Sequence, residues 1–343
     1  MAKHYYARFD PLLSADEARG MVELCHRYGA YKMYSEEPTF PGLLGEGLPA
    51  RYDAARNFLK TGGRFGAHES IETLAARTNY FRESYAYGDD VRITGIEPFL
   101  HHEGFRRAAR ELYDRPVIVP AIVYANLLVP GQELAVHSDV PEFRGANRTK
   151  HPQWLLVAMH HSKLFDDWRM PIATGVAWFH DCDGGEFAFY PEGPEGQPVA
   201  LGVRFNTAVL LDTDSVFHGV DRVAEKSRPI KPLLPGMKLR AAGGRRWQIV
   251  DNEGVVDEYD WSDLRFSISW KAYCFADERE RAAWHAHGDD LTVEFAVARL
   301  LDDLRERGKV STRAPADHEL INLLIDEYIP YPPPQSVAGA VRA

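Results

Sequence analysis

Apolar and polar positions change their period three times along this chain. Near the start, Ser14-Ala-Asp-Glu17 has the form of a capping box, and Ala18, Met21, Val22 and Cys25 follow at the spacing of one helix face before a stop near Gly29. The stretch 36–66 is rich in Gly, Pro and aromatic residues and reads as a long loop. Ile71 to Ala86 and Phe105 to Tyr113 fit further helices. From Val117 to Phe275 the texture becomes short runs of Val, Ile, Phe, Tyr and Trp, separated by Gly, Pro, Asp and Asn. The runs VIVPAIVYANLLV, LLVAMHH, GVAWFH, GEFAFYP, TAVLLDT, RRWQIV and RFSISWKAYCF are each expected to be strands. Many short strands without long helices between them predict an antiparallel barrel or jelly roll, not a doubly wound sheet.

After Ala276 the helical period returns. Val293, Ala296, Val297, Leu300, Leu301 and Leu304 form one apolar stripe ending at Gly308, and His318 to Tyr328 fits another helix. The stripe is expected to pack on the barrel, with a homodimer through these helices as the alternative. The chain therefore divides into an N-terminal helical and loop region (1–116) packing on the barrel, a β core (117–275), C-terminal helices (276–330) and a tail (331–343) expected to be disordered.

Composition adds mainly exclusions. Of 343 residues, 45% are apolar and 26% charged, an ordinary globular balance, and the net charge of −10 argues against nucleic acid as the partner. Cys25, Cys182 and Cys274 are scattered and odd in number, so neither a disulfide framework nor a zinc site follows from them. The N-terminus lacks the apolar core of a signal peptide, and the longest apolar run, Val117 to Val129, is too short to span a membrane. The expectation is a cytoplasmic protein with no membrane partner.

The chemistry begins in LAVHSDVPEF. Residues two apart on a strand face the same side, so His137 and Asp139 can project together, and an imidazole nitrogen with a carboxylate oxygen suits a divalent iron, manganese or zinc ion. His218, in TAVLLDTDSVFHGVDRV, is the third candidate ligand. Two histidines and one carboxylate form a facial triad that leaves adjacent positions open. In RFSISWKAYCF, Arg265, Ser267, Ser269 and Lys271 alternate with Phe266, Ile268 and Trp270, which points a cationic face inward. A buried Arg beside a hydroxyl needs an anion and is suited to clamp a carboxylate.

These motifs, HSD at His137 to Asp139, HGV at His218 to Val220 and RFS at Arg265 to Ser267, resemble the Fe(II)/2-oxoglutarate-dependent dioxygenases, prolyl-hydroxylase-like members among them. GVAWFHDCDGGEFAFYPEG resembles the GGE hairpin of that group. The resemblance covers about residues 117–275. It implies a double-stranded β-helix, a cupin-like jelly roll, flanked by α-helices. It further implies Fe(II) on His137, Asp139 and His218, with 2-oxoglutarate chelating the iron and reaching Arg265 and Ser267. Asn126 and Tyr124, on the strand leading into HSD, and Lys271 are further co-substrate candidates. The reaction implied uses dioxygen, with ascorbate as an auxiliary reductant, and hydroxylates a small amino-acid-like or natural-product molecule through a ferryl intermediate, releasing succinate and carbon dioxide. Asp139 leaves no vacancy for halide, which favours hydroxylation over halogenation.

In many members the basic residue lies shortly after the distal histidine, where this chain has Arg228. Arg265 is preferred because it opens an alternating strand, and residues 224–263 then become an insertion, with a hairpin near Asn252 to Gly254, that could cover the barrel mouth. The alternatives are a cupin-like metalloenzyme that does not use 2-oxoglutarate and a non-catalytic barrel module. His160, His161 and His180 are expected at strand ends. Arg144 and Trp168-Arg169 are read as surface residues, with contact to a substrate carboxylate as the alternative, and His285 and His287 diverge on a helix. Tyr80, Phe81, Tyr85 and Tyr87 either line the pocket or belong to the core.

Overall fold

Ser14 and Glu17 exchange the two reciprocal hydrogen bonds of a capping box, so α1 (Ala15–Tyr28) begins where predicted and ends on Gly29 at φ 75°. The computed structural model describes residues 5–34, 51–224, 230–311 and 317–335. Around α1 stand β1 (Tyr6–Phe9) and β2 (Ala30–Met33), and then come α2 (Tyr52–Thr61) and α3 (Ile71–Thr78). Residues 36–50 of the expected loop lie outside the described part. The rest of that stretch holds α2, whose Ala54, Ala55 and Phe58 are buried at helical spacing. The helix expected to reach Ala86 instead stops at Thr78, and Phe81–Tyr87 forms β3. Aromatic residues there favour the pleated surface over a helix.

Next come β4 (Asp90–Val91), α4 (Glu97–Leu100), α5 (Glu103–Tyr113) and the long β5 (Val117–Leu128). Pro120 cannot donate to a ladder, and the pairing of β5 shifts register between Ile122 and Pro120. The chain continues through β6 (Leu134–His137), β7 (Glu142–Phe143) and α6 (Gln153–Ser162). The run LLVAMHH is therefore a helix, not the expected strand: it is apolar all round, so it carries no period, and every residue from Trp154 to His160 is buried. β8 (Arg169–Met170), β9 (Ile172–Trp178), β10 (Phe187–Phe189), β11 (Val199–Leu201), β12 (Thr207–Leu211) and β13 (His218–Val220) complete the middle of the chain. β14 (Lys238–Ala241), β15 (Arg246–Val250), β16 (Val255–Asp260) and β17 (Arg265–Phe275) precede α7 (Glu278–Ala286), α8 (Val293–Glu306) and α9 (Asp317–Tyr328).

An 11-stranded antiparallel sheet runs β1-β12-β9-β17-β5-β3-β2-β14-β15-β16, with β4 beside β3, and a second, 4-stranded sheet runs β11-β10-β13-β6. Leu128, Val176, Trp178, Val209 and Leu211 of the first sheet share one apolar cluster with Phe187, Phe189, Leu201 and Val220 of the second. The other face of the large sheet carries the main core: Phe266, Ile268, Trp270, Ala272 and Cys274 of β17 meet Met21, Leu24 and Cys25 of α1 and Phe105, Ala108 and Ala109 of α5. The alternation read along β17 is thus real, and its polar members face the space between the sheets.

One expectation is corrected by the packing. Lys238–Asp260 does not cover the mouth; its three strands extend the large sheet beyond β2. The stripe Ala296, Leu300 and Leu304 of α8 joins residues of α6 and α9, with Val136 of β6 and Phe143 of β7, in a second apolar cluster. Among the described residues no helix is long and apolar enough to cross a membrane.

Candidate metal centre

β6 and β13 are neighbours in the small sheet, and His137 stands directly opposite His218 in the register. Asp139, just past the end of β6, is fixed by its backbone N–H to the carbonyl of Thr213 at 2.7 Å. The pairing brings the two imidazole rings to 4.5 Å between centroids. Ligand atoms of His137, Asp139 and His218 all lie within 4.8 Å of one another, the group among the described residues placed to hold one ion.

The orientation of each side chain is set by a second bond. His137 Nδ1 donates to Ala135 O at 2.7 Å, and His218 Nδ1 donates to Val216 O at 3.0 Å. A carbonyl can only accept, so each ring keeps its lone pair on Nε2. Those nitrogens sit 3.7 Å and 3.8 Å from Asp139 Oδ1, which two ligands each about 2 Å from one ion can span. Burial, then the neighbouring His218 and Arg51, hold His137 down to about 3, and burial also lowers His218. Both rings are therefore neutral, as ligands must be.

The other carboxylate oxygen is occupied. Asp139 Oδ2 accepts from Lys271 Nζ at 2.7 Å and from Thr213 Oγ1 at 2.6 Å, while Lys271 also reaches Thr174 Oγ1 at 3.0 Å. Burial alone would raise the Asp139 carboxyl, but the charge and hydrogen bond of Lys271 outweigh it and hold it well below the usual range. Oδ1 is left as a monodentate donor, so two neutral nitrogens and one anionic oxygen fit a divalent cation with positions to spare.

Arg265 is 2% exposed and lies in the wall of the same cavity, which encloses about 140 Å³. Its Nε donates to Gly185 O at 2.7 Å and its Nη1 to Ser267 Oγ at 3.2 Å, while Nη2 is buried with no hydrogen-bond partner. Burial lowers its pKa to about 10, leaving it a cation at neutral pH. The GGE hairpin explains itself here. A Cβ on Gly185, at φ +67°, would lie 2.7 Å from Arg265 Cδ, so only glycine lets the guanidinium come this close.

Asn126 stands opposite Ser267 in the register, its amide within 3.4 Å of Ser269 Oγ, and Tyr124 stands opposite Ser269, so both predicted residues line the cavity. Arg228 lies outside the described residues. Tyr80 lines the cavity, Phe81 and Tyr85 are core, and Tyr87 is exposed. Arg144 binds the Asp289 carboxylate, and Arg169 binds Asp212. His160 is buried in α6 against Ser215, and His161 stacks on Phe217, so neither ends a strand.

Several residues at the site were not anticipated. Arg51 donates to Ser138 O, between the two ligands of HSD, and pairs with Asp53, whose carboxylate also accepts from Tyr331. Thr213, Thr174, Arg82, Arg148, Glu142 and Tyr273 likewise line the cavity. Thr174, a hydroxyl inside the apolar run IATGVAW, and Tyr273, two residues past Lys271 on the polar face of β17, left marks that a reading of the chain could have used.

No family model matches the chain, and no curated protein matches it in sequence. Among solved structures, it is similar to a prolyl-4-hydroxylase from Pseudomonas putida, at 11% identity and TM-score 0.38 over 79% of this chain and 93% of that one. It is also similar to HygX from Streptomyces hygroscopicus with nickel, 2-oxoglutarate and hygromycin B bound, at 10% identity and TM-score 0.40 over 79% and 83%. A third is a Trichoplax adhaerens prolyl hydroxylase in complex with a hypoxia inducible factor peptide fragment, at 12% identity and TM-score 0.39 over 81% and 86%. Superpositions this loose carry no weight for the chemistry, which rests on the side chains themselves.

Proposed function

We propose that the chain is an Fe(II)/2-oxoglutarate-dependent oxygenase that hydroxylates a small molecule, and that its two facing sheets are a double-stranded β-helix. One observation carries this reading. A neutral His, His and carboxylate set converges on one point of a cavity whose wall also buries a cation with an orphaned donor, Arg265 Nη2. A buried guanidinium costs too much without a partner anion, and a carboxylate is the partner its fork fits.

His137 and His218 would hold the iron through Nε2, and Asp139 through Oδ1. Lys271 and Thr213 keep Oδ2 engaged, which fixes the carboxylate and leaves positions on the ion for co-substrate and dioxygen. Arg265 and Ser267 would take the distal carboxylate of 2-oxoglutarate, and Asn126 with Tyr124 would border its path. Bound iron with 2-oxoglutarate supplies the oxidising chemistry, with succinate and carbon dioxide as the co-products. The protein's own part is to orient both molecules and exclude water.

Incubation with Fe(II), 2-oxoglutarate, ascorbate and air tests the reading. Slow formation of succinate without added substrate, lost in His137→Ala, is the expected result. No succinate above the variant's level would overturn it.

A further inference from the structure

Asp139 stands two residues past the end of β6, beyond the last ladder pair of His137 with His218. Two bonds hold the peptide that joins it to Ser138. The N–H of Asp139 donates to Thr213 O at 2.7 Å, and Ser138 O accepts from Arg51 Nη1 at 2.6 Å. A peptide is planar, so a bond at each end fixes its rotation, and with it the direction in which the Asp139 side chain leaves the backbone.

Arg51, which immediately precedes α2, is aimed by a second residue. Its Nε and Nη2 fork the Asp53 carboxylate at 2.9 Å and 2.6 Å, which leaves Nη1 as the arm that reaches Ser138. Asp53 is fully buried and Arg51 is 6% exposed, so each charge needs the other. Asp53 also cancels a positive charge that would otherwise repel a cation at the ligands. Its Oδ2 accepts one further bond, from Tyr331 Oη at 2.7 Å, across 278 residues of sequence. Tyr331 lies three residues past the end of α9, and its ring packs on Phe217, the neighbour of His218, with centroids 5.3 Å apart. Phe217 stacks in turn on His161, whose Nε2 lies 3.1 Å from Ser138 Oγ. One tyrosine near the end of the chain thus meets the backbone of all three candidate ligands, by hydrogen bonds on one side and by its ring on the other.

We propose that Tyr331, Asp53 and Arg51 form a positioning relay through which the C-terminal segment sets the geometry of the metal centre. None of the three belongs to the ligand group; they act through the peptide between two of its members. The inference rests on the metal-centre reading and does not depend on 2-oxoglutarate.

Mn(II) titration followed by the electron spin resonance of the free ion tests it, with the visible spectrum of the Co(II)-loaded protein reporting ligand geometry. Tyr331→Phe keeps the ring on Phe217 and removes only the hydroxyl. It should weaken Mn(II) about fivefold or more and alter the Co(II) spectrum, as loss of an outer-shell partner does. Arg51→Lys keeps the charge but cannot fork Asp53 and reach Ser138 together, and it should weaken Mn(II) about tenfold. Adding Tyr331→Phe to it should cost less than about twofold more, because both changes break one relay. Tyr52→Phe is the control: its hydroxyl ties α2 to Asn322 of α9 at 3.0 Å without leading to Ser138. It should leave Mn(II) within about twofold and the Co(II) spectrum unchanged. Unchanged Mn(II) affinity and Co(II) spectrum in Tyr331→Phe would overturn the relay. Equal losses in Tyr331→Phe and Tyr52→Phe would overturn it too, as the mark of a merely structural tie. Unmodified protein that binds no Mn(II) would remove the metal centre and the relay with it. The expected losses in a protein that does not bind 2-oxoglutarate would keep the relay and remove the oxygenase.

Discussion

Replacing Lys271 by Met removes the ammonium facing Asp139 while nearly preserving side-chain length. In the folded chain Nζ stands 2.7 Å from Asp139 Oδ2, with 11% of the lysine side chain and 20% of the aspartate exposed. Breaking a buried ion pair from one side strands the other charge, at a cost of about 3–5 kcal/mol. The remaining bond from Thr213 and the partial exposure of Asp139 place this pair at the lower end, about 3 kcal/mol. A divalent ion at Oδ1 would supply positive charge again, so added metal should restore part of the loss. The assay is urea denaturation of wild type, Lys271→Met, Asp139→Asn and the double variant, each metal-free and with saturating Mn(II). The metal-free cycle should show a coupling of about 2–3 kcal/mol, and Mn(II) should stabilise Lys271→Met more than wild type. A metal-free Lys271→Met within about 0.5 kcal/mol of wild type would refute the reasoning, because the pair would then not be a compensated buried one.

Two further outcomes follow from the same geometry. Burial, with Lys163 adding to it, holds His161 down to about 3, so between there and the ordinary value near 6.5 the unfolded chain takes a proton that the folded chain refuses. Stability therefore falls with pH in that window. Metal-free wild type should lose about 2 kcal/mol more than His161→Gln between pH 8 and pH 5, and equal losses in denaturant midpoints would contradict this. Gly185→Ala would set a Cβ 2.7 Å from Arg265 Cδ at φ +67°. It should weaken 2-oxoglutarate about tenfold or more while Mn(II) affinity stays within about twofold, and unchanged 2-oxoglutarate binding would show that Arg265 is not the anchor.

The centre was legible where period and chemistry coincide. The pair His137 and Asp139 at a strand end, His218 opening another, and the polar face of β17 each follow from the two-residue repeat of a strand, and the register brings them together. The run LLVAMHH was not legible, because a segment buried on every side shows no period to separate helix from strand. Nor was the place of Lys238–Asp260: local pattern announces strands, but the edge they join is β2, where Lys238 meets Lys32, and that pairing exists only in space. Lys271 shows a subtler limit. Its inward face was evident from alternation, whereas its bond to Asp139 depends on how far the small sheet approaches the large one. Arg82 and Arg148 sit on segments whose neighbours are set entirely by tertiary packing, so no spacing along the chain marked them.

The central claim is that metal and 2-oxoglutarate meet in one cavity. Anaerobic absorption spectroscopy tests it most directly: Fe(II) and 2-oxoglutarate added together should develop a metal-to-ligand charge-transfer band that neither produces alone. The band should be absent in His137→Ala and should need about tenfold or more additional 2-oxoglutarate in Arg265→Ala. No band with both components present, or a band indifferent to Arg265→Ala, would contradict the account.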